Sequence, residues 1–238
     1  MTTSNQRWMA ACGLVAITVI LLGLWVIAGF VPPPSPRLSL NEIAGIYAQR
    51  QGSIRAGLIV SLFGSTLLMP WSVAISVQLR RIENPPYPLS LLQITLGVIL
   101  VVEFLVATMF WLGAAYRPLD NPDITGRLHD LGGIMYVGLP MTTMLEAVAL
   151  GMAILQDKGP EPIFPRWLGY LSFWAAASFL FGGLNPLFRS GPMAYDGLLA
   201  WWLGLIVFTV WILGVTYALL FVAIPQQEAE DLHRLQAR

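Results

Sequence analysis

An all-α bundle of six membrane-crossing helices is the fold this sequence predicts, and three observations predict it. Hydrophobic residues make up 56% of the 238 and charged residues only 11%, against about 25% charged in a typical soluble domain. Six apolar segments, 8–31, 54–79, 90–116, 132–155, 167–188 and 198–224, approach or exceed the length that crosses hydrocarbon, about 20 residues rising about 1.5 Å each. The gaps between them read VPPPSPR, RRIENPPYP, RPLDNPDITGR, QDKGPEPIFPR and RSGPMAYDG, rich in breakers and charges. The expectation is one integral membrane domain over 1–238, with lipid as its solvent and principal partner.

Segment 8–31 is longer than the roughly 7–15 residues of a signal-peptide core and lacks a small-x-small cleavage site, so it reads as a spanning helix. Its Cys12 is the only cysteine, which excludes an intramolecular disulfide and a cysteine-based metal cage. A small buried thiol is the expectation.

The loop at 32–54 has a readable design. After the stiff PPPSP run, Ser39 and Glu42 have capping-box spacing, with Leu38 and Ile43 at the staple positions. Leu40, Ile43, Ala44 and Tyr47 follow at i, i+3, i+4 and i+7. That spacing predicts a short amphipathic helix on the outer membrane surface or on the bundle. It serves as a docked connector or as a lid over an outward cavity.

The second span carries small residues on one face: Gly57, Ser61, Ser65, Ser72 and Ser76, at spacings of four, four, seven and four. Inside lipid, helices associate through small residues and polar pairs, so this stripe is a helix-packing face. Pro70 removes the donor that the Thr66 carbonyl would use, and Pro140 does the same to Tyr136. Trp8, Trp111, Trp167, Trp201 and Trp202 fall near predicted ends as interfacial anchors. Trp71, Trp174 and Trp211 lie deeper and read as packing residues. The tail PQQEAEDLHRLQAR continues the last helix into water with a solvated charged face.

An even number of spans puts both termini on one side. With the N-terminus cytoplasmic, that side holds Arg7, Arg80, Arg81, Lys158, Arg166, Arg234 and Arg238. The other holds Arg37, Arg50, Arg55, Arg117, Arg127 and Arg189. The balance tilts toward both ends inside.

Only two ionisable residues lie deep in the spans, Glu103 and Glu146. Glu103 lies 13 residues before Tyr116 and Glu146 lies 14 after Gly132. Both therefore sit about 20 Å from the same surface, on consecutive antiparallel helices. Facing each other, they would share a proton or a bound cation, since two adjacent carboxylates in low dielectric do not both ionise cheaply. Thr142 and Thr143 lie four and three residues before Glu146, within reach as hydroxyl donors. The same four residues serve equally as a protonated joint between helices.

A second group, Asp120, Asp123, His129 and Asp130, stands in the outer loop. It offers weak ligands for a divalent ion, or simply the acidic start of a helix with Asn121 as cap and Pro122 at its first position. The helix is the preferred reading, and no metal and no cofactor are expected. Thirteen Lys and Arg balance thirteen Asp and Glu, which gives no basic field for nucleic acid. Two histidines in the chain exclude a haem held by two histidines within the bundle. The sequence has no phosphate-binding glycine loop, Gly-x-Ser-x-Gly elbow or His-Glu-x-x-His motif, so no nucleotide is expected.

Phe30, Pro32, Pro33, Ser35 and Pro36 form a Phe-x-Pro-Pro-x-Ser-Pro loop between the first two spans. With the six-span layout, it resembles uncharacterised bacterial multi-pass inner-membrane proteins. The resemblance implies a prokaryotic inner membrane and carries over no activity.

Three functions fit the sequence. The first is an accessory or assembly subunit that docks its small-residue faces on another membrane protein. The second is a small transporter coupled to a proton or cation through Glu103 and Glu146, although no inverted repeat is visible. The third is a membrane-embedded enzyme acting on an apolar molecule, which lacks an obvious nucleophile beside a base and ranks last.

Overall fold

A computed structural model describes residues 2–138 and 141–236, and among them helix is the only regular structure beyond turns. Thr2 caps α1 (Thr3–Leu21), its hydroxyl accepting from the Asn5 N–H, and wider π turns continue it over Leu22–Ile27. The short α2 (Leu40–Gln49) precedes α3 (Gln51–Thr66) and α4 (Leu68–Leu79). Then come α5 (Pro88–Tyr116), α6 (Pro122–Gly138), α7 (Met141–Gln156) and α8 (Arg166–Gly183). A π turn at Leu198–Leu203 leads into α9 (Gly204–Ala218), and another at Leu219–Ala223 into α10 (Ile224–Gln236).

Six stretches of these helices are long and apolar enough to cross a membrane: Thr3–Ile27, Gln51–Leu79, Pro88–Tyr116, Pro122–Gln156, Arg166–Leu187 and Leu198–Gln236. Their ends correct the expected ones. The first begins earlier because Thr2 supplies a cap, and it ends earlier because Gly29 takes a left-handed φ of 63°. The fourth is continuous with the helix expected from Pro122, where the Asn121 side chain accepts from the Ile124 N–H at 3.2 Å as the cap reading required.

The break that Pro70 imposes falls at Leu67, whose N–H turns back to the Gly64 carbonyl at 3.1 Å. The Thr66 carbonyl thereby sits at a helix end, where a missing donor is least costly. The expected break at Pro140 lies outside the described residues, as does Arg238.

Glycine and serine set the closest crossing. A side chain on Gly57 would collide with the Gly23 carbonyl and Ala28, and one on Gly23 with the backbone of Gly57 and Ser61. Backbone therefore lies against backbone where α3 meets the first span, the arrangement small residues permit in lipid. Farther along, Ser90 Oγ donates to the Ser76 carbonyl at 2.9 Å, and the two hydroxyls lie 2.8 Å apart. The serine stripe is thus buried inside the bundle, against α1 at one end and α5 at the other.

The first turns of α1 meet α10 at one end of the bundle. Arg7 forms a two-bond ion pair with Glu228, at 2.8 and 2.6 Å. Beside it, Gln78 donates to Gln6 and, at 2.8 Å, to Gln227. Arg81 donates to Gln78 at 2.6 Å and to Glu230 at 2.8 Å. Three helices are joined there through side chains that water would otherwise solvate.

At the opposite end, α2 packs chiefly on α6 and covers it. Its capping box is complete, with Glu42 accepting from the Ser39 N–H at 2.7 Å and Ser39 Oγ accepting from the Glu42 N–H at 3.3 Å. The Ser39 hydroxyl, which also donates to Glu42 at 2.7 Å, and the Ser39 N–H hold the Glu42 carboxyl below its usual range. Ile43, Ala44 and Tyr47 are fully buried, which makes α2 a docked element of the bundle.

The tryptophans divide differently from the expectation. Trp8 and Trp167 are about half exposed, as anchors should be, whereas Trp111 and Trp201 are buried. Trp71 and Trp211 are core residues whose indole N–H groups donate to Thr216 at 2.9 Å and Ser172 at 3.1 Å. Trp174 is 51% exposed and faces outward.

Candidate functional site

The two deep glutamates sit on adjacent helices, yet each is held by a different neighbour. Glu103 accepts from the Thr142 hydroxyl at 2.8 Å. Glu146 accepts from the Gln93 amide at 2.8 Å. The antiparallel register of α5 and α7 explains this: it places Thr142, not Glu146, opposite Glu103. Gln93 stands ten residues before Glu103, about 15 Å along α5. The shared-proton pair suggested by equal depth thus gives way to two separate pairs. Thr142, expected to serve Glu146 within its own helix, donates across the interface.

The surroundings of the two carboxylates differ as well. Glu146 is fully buried. A side chain on Gly97 would collide with its Oε1 and with Ser72 Oγ, so α4, α5 and α7 converge on this point. Among the described residues, Gln93 Oε1 and Glu146 Oε2 are buried without a hydrogen-bond partner. The bond from the Gln93 amide to the Glu146 carboxyl joins α5 to α7, as polar pairs do between helices in lipid.

Glu103 is only partly buried and lines a cavity of about 100 Å³ in the half of the bundle nearer α2. The rest of the wall is mainly apolar and includes Phe104, Tyr136, Phe179, Trp201 and Phe208, with Thr143 adding a buried hydroxyl. These rings are contiguous. Phe104 stacks on Tyr136 at 4.8 Å between centroids and meets Phe208 edge-on at 5.6 Å, while Tyr136 lies 6.0 Å from Trp201. Among the described residues, the buried indole N–H of Trp201 has no acceptor. Gly204 marks a roomy side, because a side chain there would meet nothing within 4 Å.

Of the residues singled out in sequence, the cavity gathers Glu103 and Thr143. It leaves Glu146 in a closed contact and the serines in helix crossings. Gln93 escaped notice, and Trp201 was expected only as an interfacial anchor and Tyr136 only for its backbone carbonyl, because an uncharged glutamine and interior aromatics carry no spacing signal for a site.

The outer group separates into surface and interior parts. Asp123 stands in the first turn of α6. Asp120 is exposed and 4.0 Å from Arg117. His129 is fully buried beneath α2, ringed by Phe30, Tyr47, Trp111 and Tyr195. Its Nε2 is 2.9 Å from the Pro34 carbonyl and its Nδ1 2.9 Å from the Tyr47 hydroxyl. A carbonyl only accepts, so Nε2 carries the hydrogen and Nδ1 accepts from Tyr47. Asp130 accepts from the Tyr195 hydroxyl at 2.8 Å. Burial, with the Asp130 charge behind it, pushes the phenols of both Tyr47 and Tyr195 well above their ordinary value. The cluster locks α2 and the 184–197 loop onto α6. Among the described residues, no group of three or more His, Cys, Asp or Glu could hold a metal ion.

The fold and this site define a transmembrane helix bundle with a partly open, aromatic-walled cavity. Compared with protein-family models, curated proteins and solved structures, the chain matched none.

Proposed function

We propose that this chain is a multi-pass protein of a bacterial inner membrane, with both termini in the cytoplasm, and that it binds a small molecule beside Glu103. The observation that carries this reading is a cavity of about 100 Å³ whose mainly apolar wall contains the carboxylate of Glu103. Ligand sites have that composition, an apolar lining with few polar groups that fix orientation. An ionisable residue at membrane depth is costly enough that its position beside a cavity points to use.

An accessory subunit would need an outward docking face, and the small-residue stripe expected to supply it is occupied by α1 and α5. Catalysis through His129 would need a ring nitrogen free to move a proton, and both are engaged under α2. A second reading, coupled transport of the bound molecule, is favoured by Glu103 meeting both the cavity and the hydroxyl of Thr142.

The test is native mass spectrometry of the protein released from membranes in lipid nanodiscs. Wild type should retain a small non-bilayer molecule that Gly204→Phe, which adds bulk at the cavity's open side, holds less well. Equal spectra for the two proteins would overturn the reading.

A further inference from the structure

We infer that the cavity beside Glu103 takes a lipophilic organic cation, an amine or quaternary ammonium head carried on an apolar tail. This rests on the ligand-binding reading above and names its chemical class.

The sign of the charge follows from the wall. Glu103 is the only ionisable acid or base among the lining residues apart from the phenol of Tyr136, and no Lys or Arg stands there. A fatty acid or phosphate head would place like charge beside that carboxylate in a low-dielectric site. A cationic head supplies the partner that a buried carboxylate requires.

The kind of cation follows from the donor set. A hard metal ion such as calcium needs about six to eight oxygen ligands. The wall offers the carboxylate of Glu103 and the hydroxyls of Thr143 and Tyr136. Aromatic side chains supply most of what remains polarisable, four of them contiguous through the ring contacts described and Phe179 joined to Phe208 at 6.4 Å. Aromatic walls around a carboxylate attract ammonium groups through the ring quadrupole, and they serve alkylated ammonium best.

Size restricts the ligand. About 100 Å³ is smaller than the roughly 150 Å³ of an apolar cavity known to admit benzene. Only a compact head can enter, and the rest of the ligand must lie in the open side at Gly204.

The experiment uses the full chain in lipid nanodiscs and measures saturable binding of radiolabelled decyltrimethylammonium, with empty nanodiscs as background. Unlabelled decanol and decanoate are the neutral and anionic competitors. One site per chain is expected, weakened at least tenfold by Glu103→Gln and by Gly204→Phe, with neither competitor displacing the cation efficiently. Displacement by decanol as effective as by the cation itself, with binding kept in Glu103→Gln but lost in Gly204→Phe, would leave the cavity a ligand site and overturn the cationic class. Absence of saturable binding by the cation and by labelled decanol would overturn both readings.

Discussion

The Gln93 amide donates to Glu146 at 2.8 Å inside a contact that excludes solvent, tying α5 to α7. Removing the amide strands a carboxyl group in a low dielectric. Gln93→Leu should therefore destabilise the bundle by about 1–3 kcal/mol, or nearer 0.6 if exchange among intramembrane partners softens the loss. Glu146→Gln keeps an acceptor for the Gln93 amide and should stay close to wild type. Thermal unfolding of both variants in detergent checks the order, and a Glu146→Gln protein less stable than Gln93→Leu would contradict it.

The crossing of α3 with the first span leaves no room for a side chain at Gly57, where even one carbon would press on the Gly23 carbonyl. Gly57→Ala should lower the melting temperature measurably, and Gly57→Leu should prevent a monodisperse protein from being recovered. Gly45, with open space around it, provides the control: Gly45→Ala should be neutral or mildly stabilising, as a helical glycine-to-alanine change is by about 0.5–1 kcal/mol. Size-exclusion profiles and thermal melts read both.

How much of this was legible in the sequence depends on which forces decide each feature. Span number and the α2 cap follow from local composition and spacing, which is why Ser39, Glu42 and the apolar face of α2 stand where expected. The partner of each carboxylate depends on the register between α5 and α7, and equal depth along two helices does not fix register to within a turn. Thr142 thus turned out to serve Glu103. Trp111 illustrates a similar limit. Its place near a helix end suggested an interfacial anchor, but α2 covers that end and the indole donates to the His129 carbonyl at 3.1 Å.

That cover depends on His129, whose two nitrogens join the 32–39 loop and α2 to α6. His129→Ala should cost about 2–4 kcal/mol, comparable to truncating a large core side chain, and should loosen α2. Tyr47→Phe removes one hydrogen bond and should cost about 1 kcal/mol. Limited proteolysis in the 32–39 loop distinguishes them, with rapid cleavage expected only for His129→Ala.

At the opposite end, the Arg7–Glu228 pair has side chains 45% and 32% exposed, and such pairs contribute about 0–1 kcal/mol. Arg7→Ala should therefore be nearly silent. Gln78 is fully buried and bonds to Gln6, Gln227 and Arg81, so Gln78→Leu should be the more damaging change by about 1 kcal/mol or more. Denaturation in mixed micelles compares the two directly.

The difference between the two glutamates is the centre of the account, and a membrane-permeant carbodiimide reads it most directly. The reagent couples to carboxyl groups it can reach within the bilayer, and peptide mapping locates the adduct. Glu103, on the cavity wall, should be modified, and Gly204→Phe should slow the reaction, while Glu146 stays unmodified in the folded protein. Modification of Glu146 at a rate equal to or above that of Glu103 would contradict the account.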